Sequence, residues 1–253
     1  MQYHIRCDDK DIARYVLCPG DPLRAKKIAD HFTDDRLVSD SRGYMVYSGY
    51  YEGVFMTSIG TGMGGPTVSI ALEELANMGA DTFIRVGSCS TFQPGQDAGD
   101  IVIGNGTFRY GRTADGYLPP EFPAVPHFDV LRALVDASGE LGLPCTVGVG
   151  IAVDAFYGLA TRKPEFRQML VDAGVVSIEM ESDTLFLMGS YHGWRTGGIY
   201  VADGGPGKGK DAAAVQRFEQ GETDVIRVAL HALRAIARRD GAQEQHHAVS
   251  RQM

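Results

Sequence analysis

The sequence predicts a single α/β domain built on a mixed β-sheet with helices on both faces. Three observations predict it. Short β-rich apolar runs alternate with segments of helical period along the chain. No internal repeat or low-complexity linker divides the 253 residues, a length that suits one domain of this class. A hydrophobic content of 44% against 22% charged residues is that of a chain with a full apolar core.

The elements follow in order. Residues 14–19 are a short apolar run that stops at Gly20-Asp21-Pro22, a strand and then a turn. Pro22 sits where a first helical turn tolerates proline, so a helix is expected over 22–32. Tyr44–Tyr50 and Val54–Ile59 are β-rich and are split by Tyr51-Glu52-Gly53, a hairpin. The glycine-rich loop Gly60–Pro66 leads into a helix over Thr67–Met78, with Val68, Leu72, Leu75 and Ala76 at helical spacing and Gly79 as its stop. Thr82–Val86, 100–104, 145–153 and Ile199–Ala202 read as further strands. Residues 127–141, 164–173, 182–191 and 215–239 read as helices. The domain is expected to span 1–239. Beyond Arg239 the composition turns polar, and 240–253 reads as a frayed or disordered tail, with His246 and His247 part of that tail rather than a metal pair.

Bulk properties exclude several classes. A formal charge of −8 argues against nucleic acid or an anionic membrane as partner. Cys7, Cys18, Cys89 and Cys145 are far apart, with no C-x-x-C and no Cys/His cluster; reduced thiols, a cytoplasmic location and no metal are expected. No cationic, apolar leader opens the chain, and no apolar run approaches the ~18 residues of a membrane span.

Polar residues gather where strands end. Gly20 and Arg24 follow the first strand, Gly60–Pro66 a later one, and Arg85, Gly87 and Ser88 close the next. Ligands of open α/β sheets collect at such carboxyl ends. Glycines, guanidinium groups and a hydroxyl suit an oxyanion such as phosphate. Arg85 is the sharpest signal, because an arginine inside Thr-Phe-Ile-Arg-Val-Gly-Ser is costly unless an anion meets it. Gly20 alone is an ordinary turn residue, and Arg24 alone an ordinary helix arginine. Glu179-Met180-Glu181 opens a helical run. Glu181 there either grips a vicinal diol or complements a helix N-terminus. Gly204–Asp211 approaches G-x-x-x-x-G-K-[ST], yet Asp211 stands where the Mg²⁺-binding hydroxyl belongs and the segment follows the last strand, so a triphosphate loop is disfavoured.

Cys18-Pro19-Gly20-Asp21-Pro22-Leu23-Arg24, Gly62–Pro66, Ile84–Cys89 and Glu179–Glu181 occur in that order. Together they resemble the family of trimeric and hexameric purine nucleoside, uridine and methylthioadenosine phosphorylases, from about His4 to Arg239. The resemblance implies one α/β domain with a mixed, partly barrel-like sheet. It implies phosphorolysis of a nucleoside to free base and ribose 1-phosphate, with phosphate as co-substrate and no cofactor or metal. Gly20, Arg24, Arg85 and Ser88 would hold phosphate, with Arg42 inserted from a neighbouring subunit. Met180 and Glu181 would hold ribose, with a neighbour's His4 over its 5′-hydroxyl. Phe156 would pack on the base. Sites of that kind imply a homo-oligomer, a dimer at least and usually a hexamer.

In the same resemblance Asp203 stands where an aspartate neutralises N7 of a leaving purine, the alternative being a plain turn cap. Lys208 and Lys210 would then sit on a lid over the base, and Arg217 would assist the aspartate. Glu121–Val125 and Phe128-Asp129 resemble the uridine enzymes as well. Arg162 falls where those enzymes read uracil with an arginine, but Ala160 stands where they carry a glutamine. A purine nucleoside is therefore the expected substrate, with uridine as the alternative. A water-using nucleosidase would not need Arg24, Arg42 and Arg85. A non-catalytic relative would not need Arg85, Glu181 and Asp203 together.

Overall fold

The computed structural model describes residues 1–158, 163–204 and 211–252, with side chains through Glu244. The N-terminal half runs β1 (Tyr15–Cys18), α1 (Pro22–Ala29), β2 (Thr33–Ser41), β3 (Tyr44–Tyr51), β4 (Val54–Ile59), α2 (Gly65–Ala76) and β5 (Thr82–Thr91). The rest runs β6 (Ile101–Arg109), α3 (Phe128–Glu140), β7 (Cys145–Ala152), α4 (Pro164–Asp172), β8 (Ser177–Glu179), α5 (Ser182–His192), β9 (Arg195–Ala202) and α6 (Ala212–Gln252).

Strand order is β2-β3-β4-β1-β5-β8-β7-β6-β9, and β9 returns to pair with β5. Five strands, β5, β8, β7, β6 and β9, therefore close a mixed barrel, and β1 to β4 extend from it as an open wing. The expected α/β domain with a mixed, partly barrel-like sheet is what the chain forms.

Both faces of the central strands are buried, which explains their continuous apolar runs. Leu17, Ile84, Val86 and Ile199 pack under α1, α3 and α6, while Val16, Phe83 and Ile59 pack under α2 and α5. Successive residues thus feed opposite cores. Burying each such side chain contributes roughly 1.5–3 kcal/mol.

Local chemistry sets where the helices begin. Asp21 caps α1 by accepting the Leu23 N–H at 2.9 Å, with Pro22 in the first turn. β4, β1, β5 and β9 run parallel. Their carboxyl ends, and with them Gly20, the 60–66 loop, Ser88 and Asp203, therefore share one side of the sheet.

Three features differ from expectation. β2 was not anticipated, because Thr-Asp-Asp-Arg-Leu-Val-Ser-Asp-Ser lacks the alternation of a half-buried strand; it is an edge strand, exposed over Thr33–Leu37, with two register shifts against β3. β8 is only three residues long, too short for periodicity to register. Helix α6 runs on through 240–252, where a frayed tail was expected. Asp240 anchors it: the carboxylate takes two hydrogen bonds from Arg195, at 2.9 and 2.7 Å, and one from the Tyr15 hydroxyl at 2.9 Å.

Among the described residues no helix is long and apolar enough to cross a membrane.

Candidate active site

A cavity of about 390 Å³ opens at the carboxyl ends of β5 and β9, in the size range of small-molecule sites. Arg85 and Ser88 of β5, Met180 and Glu181 before α5, Phe156 and Asp203 all border it. Six residues singled out in the sequence, spread over more than a hundred positions, thus meet in one place.

Arg85 projects from β5 into the barrel and is 5% exposed. Glycines make room for it. A Cβ on Gly87 would lie 2.9 Å from the Tyr200 ring and 3.4 Å from Arg85 Nε, and one on Gly20 would lie 3.3 Å from Arg85 Nη2. Arg85 Nη2 donates to Glu181 Oε2. Its Nε lies 3.6 Å from Glu179 Oε2. Burial opposes its charge, but Glu181 and then Glu179 more than offset this and raise its pKa further. Nε and Nη1 nevertheless have no hydrogen-bond partner, so the guanidinium keeps donors to spare for an oxyanion.

Glu181 is 2% exposed. Its other oxygen accepts the Gly64 N–H at 2.6 Å, which ties this carboxylate to the 60–66 loop. Glu179 organises the turn beneath it. Its carboxylate accepts from the Glu181 N–H at 3.0 Å, from the Ser182 N–H at 3.0 Å and from Ser182 Oγ at 2.5 Å. Burial and the nearby Glu181 push the Glu179 carboxyl up to about 7.

Asp203 leaves the end of β9, its N–H donating to the Cys89 carbonyl at 2.8 Å. Ser90 Oγ donates to Asp203 Oδ1 at 2.8 Å. Phe156 and Tyr157 meet edge to face at 4.9 Å and are 64% and 76% exposed, an open aromatic wall suited to a planar base.

Other expected residues lie elsewhere. Arg24 does not line the cavity: its Nε pairs with Glu222 at 2.7 Å and its Nη1 donates to the Val86 carbonyl at 3.2 Å. Burial opposes ionisation of Glu222, but Lys27 and Arg24 hold its carboxyl below the ordinary value. Arg217 lies 3.5 Å from Asp97. Arg162, Lys208 and Lys210 fall outside the described residues.

Arg42 and His4 both contact Tyr3, and neither lines the cavity of their own chain. Arg42, with φ of 53°, occupies the β2–β3 turn, and its guanidinium sits 5.4 Å from the centroid of Tyr3. His4 Nδ1 is 2.6 Å from Glu74 Oε1. Burial opposes ionisation of Glu74, but the Ile5 N–H and His4 hold its carboxyl below the ordinary value.

The sequence reading missed Ser90 and Arg167, which also line the cavity. Ser90 had a signal, since it alternates with Ser88 on one strand. Arg167 had none, being an exposed arginine on an amphipathic helix.

The sequence profile of the phosphorylase superfamily matches residues 14–238. The chain belongs to the phosphorylase superfamily. Within it, a uridine phosphorylase of Thermococcus kodakarensis is 38% identical over 97% of this chain and 90% of its own length. A guanosine phosphorylase of Halorubrum lacusprofundi is 34% identical over 93% and 99%. Among solved structures, a uridine phosphorylase from Vibrio fischeri superposes with a TM-score of 0.87 at 27% identity, covering 92% of this chain and 96% of that one. The superfamily relatives are pentosyltransferases acting on nucleosides.

Proposed function

We propose that the protein is a nucleoside phosphorylase in which phosphate attacks C1′, the base leaves and ribose 1-phosphate forms. The observation that carries this reading is Arg85, buried beside Glu181 with two guanidinium nitrogens, Nε and Nη1, without a hydrogen-bond partner. A site that used water as nucleophile would have no use for them. Phosphate held there lies beside the sugar, and its charge stabilises the oxocarbenium character that develops at C1′. Glu181 holds the ribose diol, Met180 packs on the sugar, and Phe156 covers the base. Ser88 and the Gly20 backbone complete the anion site. Asp203 meets the leaving base, where a shared proton neutralises the charge of a departing purine.

Uridine is the better supported nucleoside, the reverse of the preference read from Asp203 and Ala160. The Thermococcus relative and the Vibrio structure are both uridine phosphorylases. Arg42 and His4, both in contact with Tyr3 and neither lining the cavity of their own chain, support a homo-oligomer in which each chain completes its neighbour's site, a dimer at least and a hexamer by family habit. Inorganic phosphate is the only co-substrate proposed, with no metal or organic cofactor, and the cytoplasm is the proposed location.

Base release from uridine, inosine, guanosine and adenosine, each with and without phosphate, tests the reading. Turnover is expected only with phosphate. Arg85→Ala is expected to raise the phosphate KM by about 100-fold, as loss of a charged hydrogen-bond partner commonly does. Phosphate-independent release, or an unchanged phosphate KM in the variant, would refute it.

A further inference from the structure

We infer that Ser90 is a positioning residue for departure of the base: its hydroxyl engages Asp203 Oδ1, so that Asp203 holds and delivers its proton through Oδ2. This rests on the phosphorylase reading above. Ser90 Oγ donates to Asp203 Oδ1 at 2.8 Å, and both residues border the cavity.

The backbone that carries this pair is held on both sides. β5 and β9 keep parallel register as far as Cys89 opposite Ala202. One residue on, the Asp203 N–H donates to the Cys89 carbonyl at 2.8 Å, and the Thr91 N–H donates to the Gly204 carbonyl at 3.3 Å. On its other side Ser90 pairs with Ile178 of β8. With both main chains fixed, the freedom left to Asp203 is rotation of its side chain, and the Ser90 hydroxyl restrains that rotation. Ser88 and Ser90 both line the cavity, two residues apart and so about 6–7 Å along the strand. Ser88 serves phosphate in the proposed reaction, and Ser90 serves the carboxyl group that meets the base. One strand thereby sets the spacing between nucleophile and leaving group.

A carboxyl oxygen that already accepts a hydrogen bond from a hydroxyl is the poorer seat for a proton, so neutral Asp203 carries its proton on Oδ2. In the reaction a phosphate oxygen bonds to C1′, the C1′–N bond breaks, and its electron pair leaves with the base. The proton passes from Oδ2 to the base. Asp203 becomes a carboxylate and recovers a proton from solvent once the base has gone. As that charge develops, the Ser90 hydrogen bond becomes charge-assisted and strengthens. It is therefore stronger in the transition state than in the bound nucleoside, which is the condition for raising kcat.

Phosphorolysis of two nucleoside pairs tests this: inosine with 7-methylinosine, and uridine with 5-fluorouridine, in the wild type, Ser90→Ala and Ser90→Thr. The N7 methyl group lets the purine depart without a proton, and fluorine makes uracil a less basic leaving group. The pair whose parent the wild type cleaves faster is the one read. Ser90→Ala should lose about 10- to 100-fold in kcat on the parent, the range of one lost hydrogen bond to a charged group. The loss on the activated partner should be much smaller, and the phosphate KM should not move. Ser90→Thr keeps the hydroxyl and should keep most of the rate. In an Asp203→Ala background, adding Ser90→Ala should cost nothing more. Ser90 is half-buried and both replacements are close to it in size, so the variants should fold, and a thermal melt checks this. Equal losses on both members of the pair, no loss at all, or a full further loss in the Asp203→Ala background overturns the inference and leaves the phosphorylase reading in place. Absence of phosphate-dependent turnover in the wild type removes that reading and this inference with it.

Discussion

Asp183 is a buried carboxylate whose environment opposes its charge without repayment by an ion pair. It lies in the first turn of α5, 2% exposed. Its Oδ1 accepts the Thr184 N–H at 2.6 Å, but Oδ2 has no partner. A Cβ on Gly111 would lie 2.7 Å from Asp183 Oδ2 and 2.9 Å from Asp154 Oδ1, so the two carboxylates converge on that glycine. Burial raises the Asp183 carboxyl to about 6; Thr184 and Arg109 oppose the rise, and Asp154 adds to it. A group whose folded pKa lies above its unfolded value favours folding fully only below the unfolded value. That stability is lost as pH rises through about 6. Asp183→Asn keeps the acceptor for Thr184 and offers an N–H to Asp154. It should stabilise the protein at pH 7.5 by about 2–3 kcal/mol, and the gain should shrink towards pH 4.5. Melting curves of both proteins across that range check it, and a gain independent of pH would show that the carboxyl is not the cause.

At this scale the sequence was readable where a residue contradicted its surroundings. Arg85 stood out because an apolar strand does not tolerate a lone guanidinium. Glu181 and Asp203 stood out by position at element ends. Arg167 did not, because only the tertiary fold turns that face of α4 towards the cavity. Nor did the hold of Glu222 on Arg24, since 198 positions separate the two residues.

Among the elements, α6 shows how a glycine that looks like a helix weakness is a contact requirement. A Cβ on Gly221 would overlap the Gly99 carbonyl oxygen and lie 2.7 Å from Gly99 Cα. The helix therefore crosses the 95–100 turn backbone to backbone. Replacing a helical glycine by alanine ordinarily gains about 1 kcal/mol, whereas forcing a side chain into a packed contact costs about 1–3 kcal/mol or more. Gly221→Ala should therefore lose stability despite its better propensity. Gly241→Ala in the same helix, where nothing lies within 4 Å, should gain up to about 1 kcal/mol. Urea unfolding of the two variants decides it, and equal responses would remove the packing argument. Most elements were legible from period and punctuation, such as Asp21-Pro22 at the start of α1. Those that were not are held by partners rather than by a pattern of their own: β2 by its hydrogen bonds to the adjacent β3, and α6 around Asp240 by the distant Arg195 and Tyr15.

The molecule as a whole separates two sets of residues. Arg85, Glu181 and Asp203 converge inside one chain, while Arg42 on the wing of the sheet and His4 on the N-terminal segment, both in contact with Tyr3, do not line that cavity. In the proposed oligomer that separation has a genetic consequence. A chain carrying Arg42→Ala still offers an intact Arg85, and a chain carrying Arg85→Ala still offers an intact Arg42. Each alone is expected to be nearly inactive. Co-expressed in equal amounts they should complement, because a mixed dimer restores one of its two sites, giving about a quarter of the wild-type activity if the chains pair at random in a two-fold assembly. Activity no higher than the sum of the separate variants would mean that each chain works with its own Arg42, or without one.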